Sequence, residues 1–87
     1  MATYIISYDL SEDADYAEVI AAIKAYGTWA HITQSTWAVK SSESAVEIRD
    51  NLAALMPDGS RLFVVKSGSG AAWRNVMCKN TWLKEHL

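Results

Sequence analysis

The chain predicts an α+β domain, an antiparallel sheet with two helices packed on one of its faces. Three observations lead there. The opening MATYIISYDL is an apolar, β-branched run that stops abruptly at a carboxylate, Asp9. Two later segments carry apolar residues at helical spacing, and each runs into a glycine-containing turn. Short stretches rich in Thr, Ile, Val and Trp lie around them, with no helical stripe.

Residues 3–8 alternate Tyr4, Ile6 and Tyr8 against Thr3, Ile5 and Ser7, a strand with apolar content on both faces. An acidic loop follows, with Ser11 or Asp13 as helix caps and acids placed favourably against a helix dipole. Tyr16, Val19, Ile20, Ile23 and Tyr26 mark a helix over residues 14–26, which Gly27 ends. Residues 28–32 and 35–40 read as two strands joined by a tight turn at Thr33-Gln34. Ser44-Ala45-Val46-Glu47 fits a capping box, with Ser41 and Ser42 as rival caps, and the helix it starts buries Ala45, Ile48, Leu52, Leu55 and Met56. Pro57-Asp58-Gly59 stops that helix, and residues 61–66 form a fourth strand. Ser67-Gly68-Ser69-Gly70 is a hinge, residues 71–78 are expected to add a short strand, and Asn80 to cap a final helical turn over 81–87. The order is the ferredoxin-like βαββαβ pattern with an extra C-terminal segment. Residues 1–66 are the core of a single domain, and 67–87 are hinge and tail.

Hydrophobic residues make up 51% of the 87, which excludes a disordered chain. A net charge of −2 argues against generic tight binding to a phosphate backbone. The charge is unevenly spread: residues 61–87 carry Arg61, Lys66, Arg74, Lys79 and Lys84 against Glu85 alone. That final third is the part suited to an anionic partner. One cysteine, Cys78, excludes an internal disulfide and suits a reducing compartment. With no apolar run of membrane-spanning length and no basic leader, the protein is expected in the cytoplasm.

The first and fourth strands are apolar on both faces, with Leu62 and Val64 opposed to Phe63 and Val65. Two helices cover only one face, so a second copy or the tail after Gly70 is expected to cover the other, and a two-fold dimer does so economically.

The opening YIISYDLS, the stretch KAYGTWAHITQSTWAV and the serine-rich cap after it resemble the small CRISPR-associated ferredoxin-like proteins, structural partners of the spacer-acquisition integrase. They are also similar to the related virulence-associated protein D ribonucleases. The resemblance covers roughly residues 3–66. It implies a homodimer with facing sheets, C-terminal segments crossing to the partner, and Asp9 near the two-fold axis. In some members that aspartate pair holds a divalent metal for phosphodiester cleavage. The chain departs from the pattern early in the first helix, where Asp13, Asp15 and Glu18 stand in place of the bases that family nucleases carry.

The expected function is therefore a small dimeric nucleic-acid-associated protein, a candidate Mg²⁺-dependent endonuclease working through Asp9 of each protomer. A hard cation takes oxygen ligands and keeps several waters, so two aspartates suffice to hold it. The contrasting reading of Asp9 is a turn or helix-entry residue. The alternative function is a non-catalytic dimeric protein-interaction module. Arg74 and Lys79 are the candidate nucleic-acid contacts, and Tyr4, Ile6, Tyr8 and Trp73 the candidate dimer interface. Glu12, Asp13 and Asp15 would enlarge a cation site or simply complement a helix dipole. His31 shares a strand face with Trp29 and is either a general base or a packing residue; His86 is a weaker candidate. Trp29, Trp37, Trp73 and Trp82 are either base-stacking platforms or core and interface anchors.

Overall fold

The computed structural model describes residues 1–11 and 16–87. Its elements are β1 (Ala2–Asp9), α1 (Tyr16–Lys24), β2 (Trp29–Thr33), β3 (Thr36–Ser41), α2 (Ala45–Ala53), β4 (Arg61–Lys66) and α3 (Asn80–His86). The strands form one antiparallel sheet in the order β2-β3-β1-β4. This small α+β arrangement is compatible with a ferredoxin-like fold, with α3 added beyond the βαββαβ series. No described helix is long and apolar enough to cross a membrane.

Strand alternation decides what the two faces hold. On one face Tyr4 lies across from Val39, Ile6 lies between Trp37 and Val64, and Tyr8 lies across from Leu62. Both helices close over this side: α1 contributes Val19 and Ile23, and α2 contributes Ile48 and Leu52. Ile6, Val19, Ile23, Ile48 and Leu52 are all completely buried. Each contributes roughly 1.5–3 kcal/mol of transfer free energy, before the entropy of ordering is subtracted.

Ser44 is the serine that caps α2. Its Oγ accepts from the Glu47 amide at 3.2 Å, and Glu47 Oε1 accepts from the Ser44 amide at 3.1 Å, so the capping box is complete. Ser41 instead turns the chain before the helix, its Oγ accepting from the Glu43 amide at 3.0 Å. Gly27 follows α1 with φ 98° and Gly59 precedes β4 with φ 87°, left-handed positions where a side chain would be strained. Tyr26, just after α1, reaches α2 through Asn51, whose Nδ2 lies 3.5 Å from the phenol oxygen and donates to Glu43 at 3.1 Å. Burial pushes the Tyr26 phenol above its ordinary 10.0, against the lowering effect of Asn51, while Glu43 and Glu47 add to the rise.

The second face is covered over part of its width. Ala30 and Ala38 face each other across β2 and β3 and are buried, as is Thr3. Thr3 points away from α1 and α2, and its Oγ1 donates to the His86 carbonyl at 2.7 Å. The tail therefore crosses under the sheet and brings α3 to this side, burying Leu83 to 1% exposure. Residues 71–78 do not form the expected strand. Asn75 takes a left-handed φ of 54°, which breaks an extended run, and a single ladder-like bond joins this stretch to β2, Met77 N–H to the Ile32 carbonyl at 2.9 Å. Nor does Asn80 cap α3. Its side-chain oxygen accepts from Trp73 Nε1 at 3.2 Å, and Lys79 is the N-cap residue, whose ammonium has no acceptor to cap with.

Two outcomes check this packing. Leu83→Ala should lower stability by about 2–5 kcal/mol in urea unfolding, the cost of a buried leucine deletion; an unchanged midpoint would mean that α3 adds nothing to the core. The folded chain holds the Tyr26 proton more tightly than the unfolded chain does. Stability on this account is complete below pH 10.0 and falls as pH climbs toward the higher folded-state value. Tyr26→Phe should lose less stability above that pH than the wild type.

Candidate functional site

Asp9 is the last residue of β1 and lies directly across from Arg61, the first residue of β4. Alternation puts it on the second face, with Ile5 and Ser7. Its Oδ2 is 3.9 Å from Arg61 Nη1, and the two side chains are 72% and 85% exposed. A pair so open to water contributes between nothing and about 1 kcal/mol. Asp9 stands on the rim of two hollows, one shared with Ser7, Arg61 and Phe63, the other with Tyr16, Gln34 and Ser35. Among the described residues its carboxylate is open to solvent apart from the Arg61 contact.

Among the described residues no three His, Cys, Asp or Glu side chains gather into a metal-binding group. Glu12, Asp13 and Asp15, the candidate enlargements of a cation site, lie outside the described residues. One carboxylate is a poor cage for Mg²⁺, which wants octahedral oxygen ligation. The Asp9 oxygens fit such an ion only together with water and a carboxylate from elsewhere, as a second copy would provide.

Tyr4, Ile6 and Tyr8 are 7%, 0% and 3% exposed inside the core, beneath the helices. They are not at the surface of the subunit, and any copy meeting the bare sheet touches their neighbours instead. Those neighbours are Ile5, Phe63 and Val65, on the part of the second face that the tail leaves open. Phe63 is 62% exposed and Val65 41%, a contiguous apolar strip with Asp9 and Arg61 at one end. Trp73 is half-buried in the tail, beside Gly68–Gly70, Leu83 and Lys84. Arg74 is exposed.

A second place gathers residues from distant parts of the chain. A groove of about 350 Å³ runs between β2 and α3, lined by Trp29 and His31 on one side and by Cys78, Lys79, Trp82 and Glu85 on the other. His31 lies flat against Trp37, with centroids 3.9 Å apart and planes 8° from parallel. Its Nε2 is 3.1 Å from the Gln34 carbonyl. It is held by packing and a turn contact, which accounts for its presence without a catalytic role. His86 lies behind Trp82 at 4.6 Å, with Glu85 3.9 Å from its Nε2. The pairing of β2 with the tail carries no local sequence signal, since residues 29–31 and 78–85 meet only through the tail's path; the one hint was the density of tryptophan.

Asp9→Ala should shift the unfolding midpoint by less than about 0.5 kcal/mol, because an exposed pair at this distance contributes little. A larger loss would mean that Asp9 holds the β1–β4 end together and would make the variant unfit as a probe of chemistry.

Compared with known proteins, the chain matches no family model, no curated protein and no solved structure.

Proposed function

We propose that this chain is a small dimeric nucleic-acid-associated protein of the ferredoxin-like kind, a stand-alone counterpart of the CRISPR-associated family it resembles, in which Asp9 of each copy holds Mg²⁺ for phosphodiester cleavage. One observation carries the reading: Asp9 is exposed at the end of a central strand, on the same open face as Phe63 and Val65. Two copies meeting through Ile5, Phe63 and Val65 would remove an apolar strip from water and bring both Asp9 carboxylates to the seam.

Magnesium held there would polarise a phosphoryl oxygen and make a bound water more acidic. The chain's own part is to hold the ion through the two carboxylates and to set the Arg61 guanidinium, already 3.9 Å from Asp9, beside the phosphate. Arg74 and Lys79, on the basic tail, are the contacts to the nucleic-acid backbone. The single cysteine, Cys78, suits a cytoplasmic protein of this type.

A second reading has its own support. Arg61 already provides Asp9 with a cation, so the pair can stand as a solvated end to the β1–β4 ladder. The protein would then be a non-catalytic dimeric interaction module, with Phe63 and Val65 contacting a copy or another protein.

Purified protein assayed on single- and double-stranded DNA and RNA, with Mg²⁺, Mn²⁺ or EDTA and with Asp9→Ala alongside, separates the two. The nuclease reading expects a dimer in sedimentation and metal-dependent cleavage lost in Asp9→Ala. Absence of cleavage, or equal cleavage by both proteins, sinks it and leaves the interaction module.

A further inference from the structure

The groove between β2 and α3 has features that a surface crevice rarely combines. Its volume of about 350 Å³ falls within the range of small-molecule sites. Two tryptophans from separate elements, Trp29 of β2 and Trp82 of α3, are among its lining residues. Neither hangs free. Trp29 is 37% exposed, packs at 5.5 Å on the buried Trp37, and lies 5.0 Å beneath the Lys24 ammonium. Trp82 is backed by His86 at 4.6 Å. Aromatic surfaces already fixed by their own neighbours lose little freedom when a ligand settles on them.

The polar groups of the groove are of mixed kind: the Lys79 ammonium, the Thr81 hydroxyl and the Glu85 carboxylate, with the His31 imidazole and the Cys78 thiol beside them. Among the described residues Lys79 makes no salt bridge. A flat ligand with donors and acceptors along its edge and an attached anion matches this set. The apolar π-face meets the indoles, the edge meets Thr81 and Glu85, and the anion meets Lys79. A simple hydrocarbon would leave the polar groups unused, and a bare phosphate would leave the indoles unused.

We infer that this groove is a nucleobase-binding site, in which a base stacks on Trp29 and Trp82 while its phosphate pairs with Lys79. The inference deepens the nucleic-acid reading given above and rests on it, but it does not need Asp9 or metal. The base comes either from a single strand, whose unpaired bases stack readily on aromatic side chains, or from a free nucleotide.

The test is a titration of the full chain with adenosine monophosphate and with short single-stranded RNA and DNA, read by tryptophan fluorescence and by anisotropy of end-labelled oligonucleotide. Binding should quench the tryptophan signal. Trp82→Leu or Trp29→Leu should weaken it roughly tenfold or more, as loss of one stacking platform does. Lys79→Gln, an exposed change that leaves both indoles in place, should weaken binding and lower the slope of log affinity against log salt by about 0.7 for a single strand. This variant keeps the test decisive if a tryptophan variant fails to fold. Equal per-site affinity for the monophosphate and the oligonucleotide assigns the site to free nucleotides; binding only of the oligonucleotide assigns it to strands. Oligonucleotide binding without quenching, unchanged in Lys79→Gln and both tryptophan variants, overturns the groove and spares the nucleic-acid reading. No binding of any probe overturns both.

Discussion

The indole of Trp37 is the joint on which the sheet is assembled. It is 2% exposed, its Nε1 donates to the Tyr8 hydroxyl at 3.1 Å, and its faces meet His31 and Trp29. One side chain on β3 thereby holds β1 on one side and β2 on the other. The hydrogen bond is buried, so removing either partner would leave a polar group without water, at a cost of about 1–3 kcal/mol. Phe in place of Trp37 would keep much of the packing and lose that bond. Position 31 and position 29 take their orientation from the same indole, so the shape of the β2 edge, and with it one wall of the groove, is set from inside the core.

The sheet's two faces are treated unequally, and that inequality locates the candidate chemistry. Beneath α1 and α2 the large side chains Tyr4, Ile6, Tyr8, Trp37 and Val39 of β1 and β3 are buried. On the other side, Ala30 and Ala38 are small enough to let the tail lie close, whereas Phe63 and Val65 stay exposed and Ile5 is only half-buried. Function is thereby directed to the two margins of the tail-covered zone. One margin is the bare β4 half, ending at Asp9 and Arg61. The other is the β2 edge, where the tail turns back as α3. These are separate cavities with different chemistry, one holding the Asp9–Arg61 pair beside Phe63, the other aromatic with the Lys79 ammonium, which makes no salt bridge among the described residues.

What sequence spacing conveyed was local. The alternation of β1, the stripe of α2 and the Ser44–Glu47 box are encoded within a few residues, and the structure repeats them with small shifts at the ends. Alternation says which residues share a face, but not which face the helices take. Both sets on β1 were apolar, so Tyr4, Ile6 and Tyr8 were equally plausible as interface; packing against Val19, Ile23, Ile48 and Leu52 decided otherwise. The tail misled for a similar reason. Residues 71–78 were expected to add a strand, yet Asn75 turns left-handed in their middle, and the segment meets the β2 edge only through the Met77–Ile32 bond. Asn80 is a good cap by type, but Trp73 claims its side-chain oxygen from seven residues away. Asp9 was legible as an exposed strand end. Its pairing with Arg61 depended on the register of β1 against β4, which no single segment contains.

The hydrogen bond from Thr3 to His86 spans 83 residues of sequence and joins the beginning of the first strand to the end of the last helix. Ordering a closure of that length gains nothing until the sheet beneath it exists, since the chain entropy must be lost before the contact is made. The tail is therefore expected to dock late, onto a sheet already formed. By the same reasoning it is the first part to lift, in an opening that leaves the helix-covered core intact. Amide protons of α3 and of the Met77–Ile32 bridge would then exchange through a shallower excursion than those of β1 and β3. The groove beside Trp29 therefore has walls of different origin: its β2 wall belongs to the sheet, its α3 wall to the tail that packs onto it.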